Sequence, residues 1–214
     1  LRLATNSIAA IIIIKSGITI NFVTNPLGGV INLNQVIGPF IISDIITLIW
    51  ILWCINVVGW SCGVDGQLPG FVAIASFVIG LLSLKFSQDI TQWPVIILAG
   101  SVAGAHLGFL PFNFYPQKIM PGYSGKSIAG LFLAILAILS GAKLATLILT
   151  LGFPMADGIW AIIRRVSRGK APVWGDAEHL HHLFLDAGFK NNEIDTDYEQ
   201  QGIMQYIIAC KKRG

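Results

Sequence analysis

Ile41-Ile-Ser-Asp-Ile-Ile-Thr-Leu-Ile-Trp-Ile-Leu-Trp-Cys-Ile-Asn-Val-Val58 runs without interruption into Gly59-Trp-Ser-Cys-Gly-Val-Asp-Gly66. The first stretch is apolar almost throughout, with one charge, Asp44, near its start. A membrane-spanning helix needs roughly 20 mainly apolar residues. The second stretch is rich in glycine and carries a carboxylate, Asp65, at the boundary. Together they read as a spanning helix that delivers a polar loop to one membrane face.

Five further apolar segments surround this one: Ser7–Val23, Leu68–Leu84, Pro94–Pro111, Ser127–Ala142 and Leu144–Ile163. The whole chain agrees with them. Of its 214 residues 54% are hydrophobic and 12% charged, and the mean hydropathy is +0.72. A soluble domain carries about 25% charged residues, so a soluble helical core is excluded as the main reading. The expected fold class is all-α, a polytopic transmembrane bundle with about six spanning helices. Glycines at helix-packing spacing, Gly100, Gly104 and Gly108, are expected to let helices approach closely. The three cysteines, Cys54, Cys62 and Cys210, form neither a disulfide framework nor a CxxC metal site. Leu1 is not a methionine and the first apolar stretch starts almost at once, so the chain is expected to be cut at its N-terminus.

The loops alternate in charge. Thr24–Phe40, Lys85–Trp93 and Gly141–Lys143 hold as positive charges only Lys85 and Lys143, both at span edges. Gly59–Gln67, Phe112–Lys126 and the region from Arg164 onward hold Lys118, Lys126, Arg164, Arg165, Arg168 and Lys170. Lys and Arg concentrate in cytoplasmic loops. The second set is therefore expected to be cytoplasmic, and six spans put all three of its loops on one face. The domain reading is a transmembrane region 1–163, a basic, histidine-rich cytoplasmic loop 164–190 and a polar tail 191–214.

Candidate chemistry gathers in these loops. His179, His181 and His182 are three of the four histidines in the chain and follow the basic run Arg164–Lys170. Such a cluster suits phosphate through charge-assisted hydrogen bonds. A histidine-rich tract also suits a metal, but no cysteine or further histidine completes a zinc-type set. Asp65 with its neighbouring glycines suits a hard cation such as Mg²⁺, or is simply a turn residue, since Asp-Gly is a common turn pair. Gly122-Tyr-Ser-Gly-Lys-Ser127 tempts toward a nucleotide-binding P-loop. That spacing needs glycine where Met120 stands, and no strand precedes it. A glycine-rich loop with Lys126 at a helix start still suits a phosphate. Asp157, inside the last apolar segment, is a functional candidate or a partner of Arg164 or Arg165. His106, alone on an apolar helix, reads as a packed or hydrogen-bonded histidine.

In combination these residues resemble the polyprenyl-phosphate N-acetylhexosamine-1-phosphate transferases, the MraY and WecA membrane family. The resemblance spans Asn25 to Phe189. It is carried by Asn25-Pro-Leu-Gly-Gly29, Asn56 with Gly63-Val-Asp-Gly66, Gly108-Phe-Leu-Pro-Phe-Asn-Phe-Tyr-Pro116, Ser124-Gly125, Pro154 with Asp157, Arg164-Arg165 and His179-Leu-His-His182. The His-x-His-His form followed by Asp186-Ala-Gly188 is closer to the WecA-like branch.

The resemblance implies transfer of a sugar 1-phosphate from a UDP-sugar to undecaprenyl phosphate or a similar carrier. UMP is released, Mg²⁺ is required, and the setting is the cell membrane. It implies Asp65, His179, His181 and His182 as catalytic residues and Asp65 as a metal ligand. Asn56, Asp157, Lys126, Arg164 and Arg165 would bind substrate. Nucleic acid is not expected as a partner. A homodimer is left open, because small-residue faces serve contacts within and between protomers alike. The family carries an Asp-Asp pair before the first span seen here. Its pattern also has asparagine at Gly59, aspartate at Cys62, a metal-ligating aspartate at Tyr123 and arginine at Ala177. A thiol is a poor ligand for a hard cation. These departures favour, as alternatives, a catalytically degenerate relative that binds the lipid carrier or the nucleotide sugar, and, further off, a transporter.

Overall fold

A computed structural model describes residues 2–24, 30–33, 36–37, 40–61, 65–85, 92–114, 117–140 and 152–169. The chain is mostly helical. In order it forms α1 (Arg2–Lys15), two short antiparallel hairpins, α2 (Ile42–Trp60), α3 (Gln67–Lys85), α4 (Gln92–Asn113), α5 (Tyr123–Leu139) and α6 (Gly152–Ser167). The hairpins pair β1 (Phe22–Thr24) with β2 (Val30–Asn32), and β3 (Val36–Ile37) with β4 (Phe40–Ile41).

Three helices, α2, α3 and α4, are long and apolar enough to cross a membrane, and α5 is a shorter apolar helix. Ile49, Ile74, Phe77, Ile97 and Leu107 point outward and are more than half exposed. In water such a surface would be costly, whereas in hydrocarbon it is the ordinary outer face of a bundle. The chain is thus a membrane protein, with a core that α2, α3, α4 and α5 build from Ile51, Ile55, Val72, Ile79, Ala99 and Leu133.

Two expectations need correction. The first apolar segment is not one span. Gly17 takes φ +86°, its N–H donates to Ile14 O at 2.9 Å, and the Ile18 N–H donates to Ile13 O at 3.3 Å. This pair of bonds is the Schellman closure of a helix end, for which only glycine is free of a Cβ penalty. The following residues then dock on the start of α2. The Ile20 N–H donates to Thr47 Oγ1 and the Ser43 hydroxyl donates to Ile20 O, each at 2.9 Å. The loop expected at Thr24–Phe40 contains the hairpins, whose paired strands satisfy backbone groups that lipid cannot.

The second correction concerns glycine. A Cβ at Gly100, Gly104 or Gly108 would meet nothing within 4 Å, so among the described residues that stripe packs against no helix. Close approach occurs at Gly130 instead, where a Cβ would lie 2.5 Å from Ile55 Cα. Only glycine fits there, and α5 consequently lies backbone to backbone on α2. Gly158 on α6 likewise meets the Trp60 ring, at 2.6 Å. On α6 the buried residues Met155, Gly158, Ala161 and Arg165 form the inner face. The helix is amphipathic. The earlier part of the sixth segment, 144–151, lies outside the described residues.

Candidate functional site at the loop end of the bundle

The turn after α2 and the segment after α4 meet at one end of the bundle, as charge and parity predicted. Asp65 is buried, and its Oδ2 accepts the Gln117 N–H at 3.0 Å. Gly66, at φ +74°, donates its N–H to Asn113 Oδ1 at 3.1 Å. The Asn113 amide in turn donates to Ile119 O at 3.1 Å. Lys118 and Ile119 both donate their N–H groups to Phe112 O at 3.0 Å. A Cβ on Gly66 would sit 3.0 Å from the Phe114 ring, so both the positive φ and the close approach call for glycine here. Asp65-Gly66 forms a turn, and its carboxylate joins one loop to the other.

A second arrangement lies beside it. A cleft between α1, α2 and α5 holds two adjoining cavities of about 360 and 220 Å³, and Arg2, Ile55, Tyr123 and Ser127 line both. Asn56, Gly59, Trp60 and Lys126 close the smaller one. Ala9, Ile128 and Leu131 form an aliphatic wall in the larger. The Arg2 guanidinium stands 4.0 Å from the centroid of the Tyr123 ring. The Asn56 amide donates to Leu52 O at 2.7 Å, which fixes its rotamer. α5 begins here at Gly122 with no side-chain cap, so its first-turn amides lack an internal acceptor.

The expected site residues divide accordingly. Asn56 and Lys126 come together in the cleft, while Asp65 does not line it. Arg164 and Arg165 occupy the last turn of α6. There Arg164 lies over the Trp160 ring, 5.8 Å from its centroid, and Arg165 is buried. Asp157 falls within α6, but its side chain is outside the described residues, as are His179, His181 and His182. His106 Nδ1 lies 2.9 Å from Val102 O, so it is a hydrogen-bonded helix residue as expected. Arg2 went unnoticed in the sequence. Its signal was a cation at the head of the first apolar segment, on the face that parity assigns to the basic loops.

The donor set of the cleft does not suit a divalent cation. Hard cations take oxygen ligands, carboxylates above all. The charged side chains here are Arg2 and Lys126, and a phenol stands at Tyr123. Among the described residues no three His, Cys, Asp or Glu side chains gather as a metal site. Two cations at the mouth of a partly apolar cleft suit an anion attached to an apolar body.

Fold and site together define a polytopic membrane protein with a cationic cleft opening at the loop end of its bundle. Residues 1–141 match the model for glycosyl transferase family 4, and the chain belongs to that family. It is 30% identical over 210 residues to the decaprenyl-phosphate N-acetylglucosaminephosphotransferase of Mycobacterium leprae, covering 87% of this chain and 51% of the relative. The enzyme of the same name from Mycolicibacterium smegmatis is 31% identical over 204 residues, with 84% and 49% covered. The phospho-N-acetylmuramoyl-pentapeptide-transferase of Bacillus pumilus is 35% identical over 158 residues, with 72% and 46% covered. The chain spans about half the length of the curated relatives it matches.

Proposed function

We propose that the protein transfers an N-acetylhexosamine 1-phosphate from a UDP-sugar to a polyprenyl phosphate such as undecaprenyl phosphate, releasing UMP, in cell-surface polysaccharide synthesis. The observation that carries this reading is the cleft, which sets Lys126 and Arg2 above an aliphatic wall in a chain of this family. One substrate of the reaction is water-soluble and anionic, the other a lipid with a phosphate head, and the cleft offers both kinds of surface. The relatives' names, with decaprenyl phosphate and N-acetylglucosamine in them, support the same pair.

Arg2, Asn56 and Lys126 bind phosphate or its neighbours on substrate, and Arg164 and Arg165 favour the anionic nucleotide. His179, His181 and His182 serve proton transfer or phosphate binding, with Asp157 as a further candidate. Asp65, as placed, positions the 112–123 segment. Mg²⁺ is the cofactor expected of the transfer, with Asp65 a candidate ligand and the others from outside the cleft. The loop end faces the cytoplasm, in keeping with Arg2, Lys118 and Lys126 there against Lys15 and Lys85 at the helix ends opposite. Homodimerisation through the outward Gly100–Gly108 stripe is compatible with its open face.

The test is UMP release by the full-length protein from UDP-N-acetylglucosamine and undecaprenyl phosphate in Mg²⁺. Release that is lost on His181→Ala supports the reading. Absence of release from intact protein sinks it, in favour of a binding relative without catalysis.

A further inference from the structure

In the pattern that this chain resembles, a metal-binding aspartate stands where Tyr123 is found, and here that position serves a different chemistry. The Tyr123 ring carries the Arg2 guanidinium at 4.0 Å from its centroid, and three residues further on Lys126 lines the same cavity. On a helix, positions i and i+3 share a face. Among the described residues, neither cation is paired with a carboxylate. The positive charge that a bound metal would bring is therefore already present as two side chains. A divalent ion set between them would meet repulsion from both and, among the described residues, find no carboxylate in the cleft to offset it.

We propose that Arg2 and Lys126 grip the phosphate of a lipid phosphate monoester directly, with no divalent cation between protein and phosphate. A monoester carries about −1.5 to −2 charge at neutral pH, which two cations match. Arginine offers a planar fork of donors and lysine a compact point charge, and both suit phosphate oxygens. The remainder of the cleft says what the phosphate is attached to. Ala9 lies two helical turns along α1 from Arg2, and Leu131 more than one turn along α5 from Lys126. At 1.5 Å per residue the wall of Ala9, Ile128 and Leu131 extends for about 10 Å from the cations into the bundle. An apolar chain gains from such a wall, and a nucleotide leaves it unused. The inference deepens the transfer reading by saying how its lipid substrate is held, and rests on that reading for the choice of lipid.

The experiment measures binding of radiolabelled undecaprenyl phosphate to the full-length protein in phosphatidylcholine nanodiscs, in EDTA and in millimolar Mg²⁺. Equal affinity in the two buffers is expected. Arg2→Gln and Lys126→Gln should each weaken binding about tenfold or more, the scale for losing a charge-assisted hydrogen bond, while Arg2→Lys and Lys126→Arg keep it within a few fold. Undecaprenol should bind at least about tenfold more weakly, and UMP should not displace the lipid.

Binding lost in EDTA and restored by Mg²⁺ overturns the proposal. So do native affinity in both glutamine variants, undecaprenol binding as tightly as its phosphate, and displacement by UMP. Should the glutamine variants fail to fold, the EDTA, undecaprenol and UMP arms on native protein decide it. EDTA-resistant lipid binding without UMP release would refute the transfer reading and leave this one standing. UMP release with EDTA-sensitive lipid binding would do the reverse.

Discussion

The loop end of the bundle has two halves of opposite character. Beneath α3 and α4, the Asp65 carboxylate, the Asn113 amide and the backbone of 112–119 take up one another's hydrogen bonds. Between α1, α2 and α5, Arg2 and Lys126 line an open cleft and pair with no described carboxylate. The carboxylate that looked functional in the sequence belongs to the closed half, and the cations belong to the open one. Buried polar groups become structural when each finds a partner, since the interior penalises any that does not. Groups kept for a ligand have to remain unpaired, and charged side chains at a water-filled mouth can do so at little cost.

The sharpest way to break this contrast is Asn113→Ala. Asn113 is 1% exposed and joins the Gly66 N–H to the Ile119 carbonyl. Its loss strands two backbone groups, each costing about 1–3 kcal/mol when buried. A destabilisation of about 3 kcal/mol is expected, read as a lower melting temperature of the full-length protein in detergent. An unchanged melting temperature would show that the closed half does not hold the two loops together.

Asp65→Ala comes next. It frees the Gln117 N–H among its partners, at a cost of about 1–2 kcal/mol for that bond. Binding of undecaprenyl phosphate in EDTA should stay within about twofold of native, well short of the tenfold that marks a lost ligand contact. A tenfold loss of binding at native stability would move Asp65 into the cleft and abolish the division.

Much of this was legible before any coordinates. The expected Ile41–Val58, Leu68–Leu84 and Pro94–Pro111 correspond to α2, α3 and α4 with ends a few residues apart, because a long apolar run has one stable form in lipid. Parity and charge brought the right loops to one end. The first segment was misjudged because hydrophobicity does not register a helix stop. Ile18 and Ile20 are as apolar as Ile11 and Ile12, and the break lay in Lys15-Ser16-Gly17. The Gly100–Gly108 stripe was assigned correctly to one face, but spacing tells which residues share a face and not what lies opposite. Asp65 shows the same limit at a site. Residue type announced a carboxylate at a membrane edge, and only geometry shows its Oδ2 accepting the Gln117 N–H.

The smallest effect is the most discriminating, because it asks what Tyr123 does in place of a carboxylate. The ring, 48% exposed, carries Arg2 on its face. An exposed cation–π contact is worth about 0.5–1 kcal/mol. Tyr123→Leu keeps an apolar side chain but removes the ring, so Arg2 loses its rest and the lipid phosphate should bind about two- to fivefold more weakly in EDTA. Tyr123→Phe keeps the ring and should bind as native. If instead the phenylalanine variant is as weak as the leucine one, the hydroxyl is the working group. Tyr123 would then be a direct donor to the lipid phosphate, beside the two cations Arg2 and Lys126.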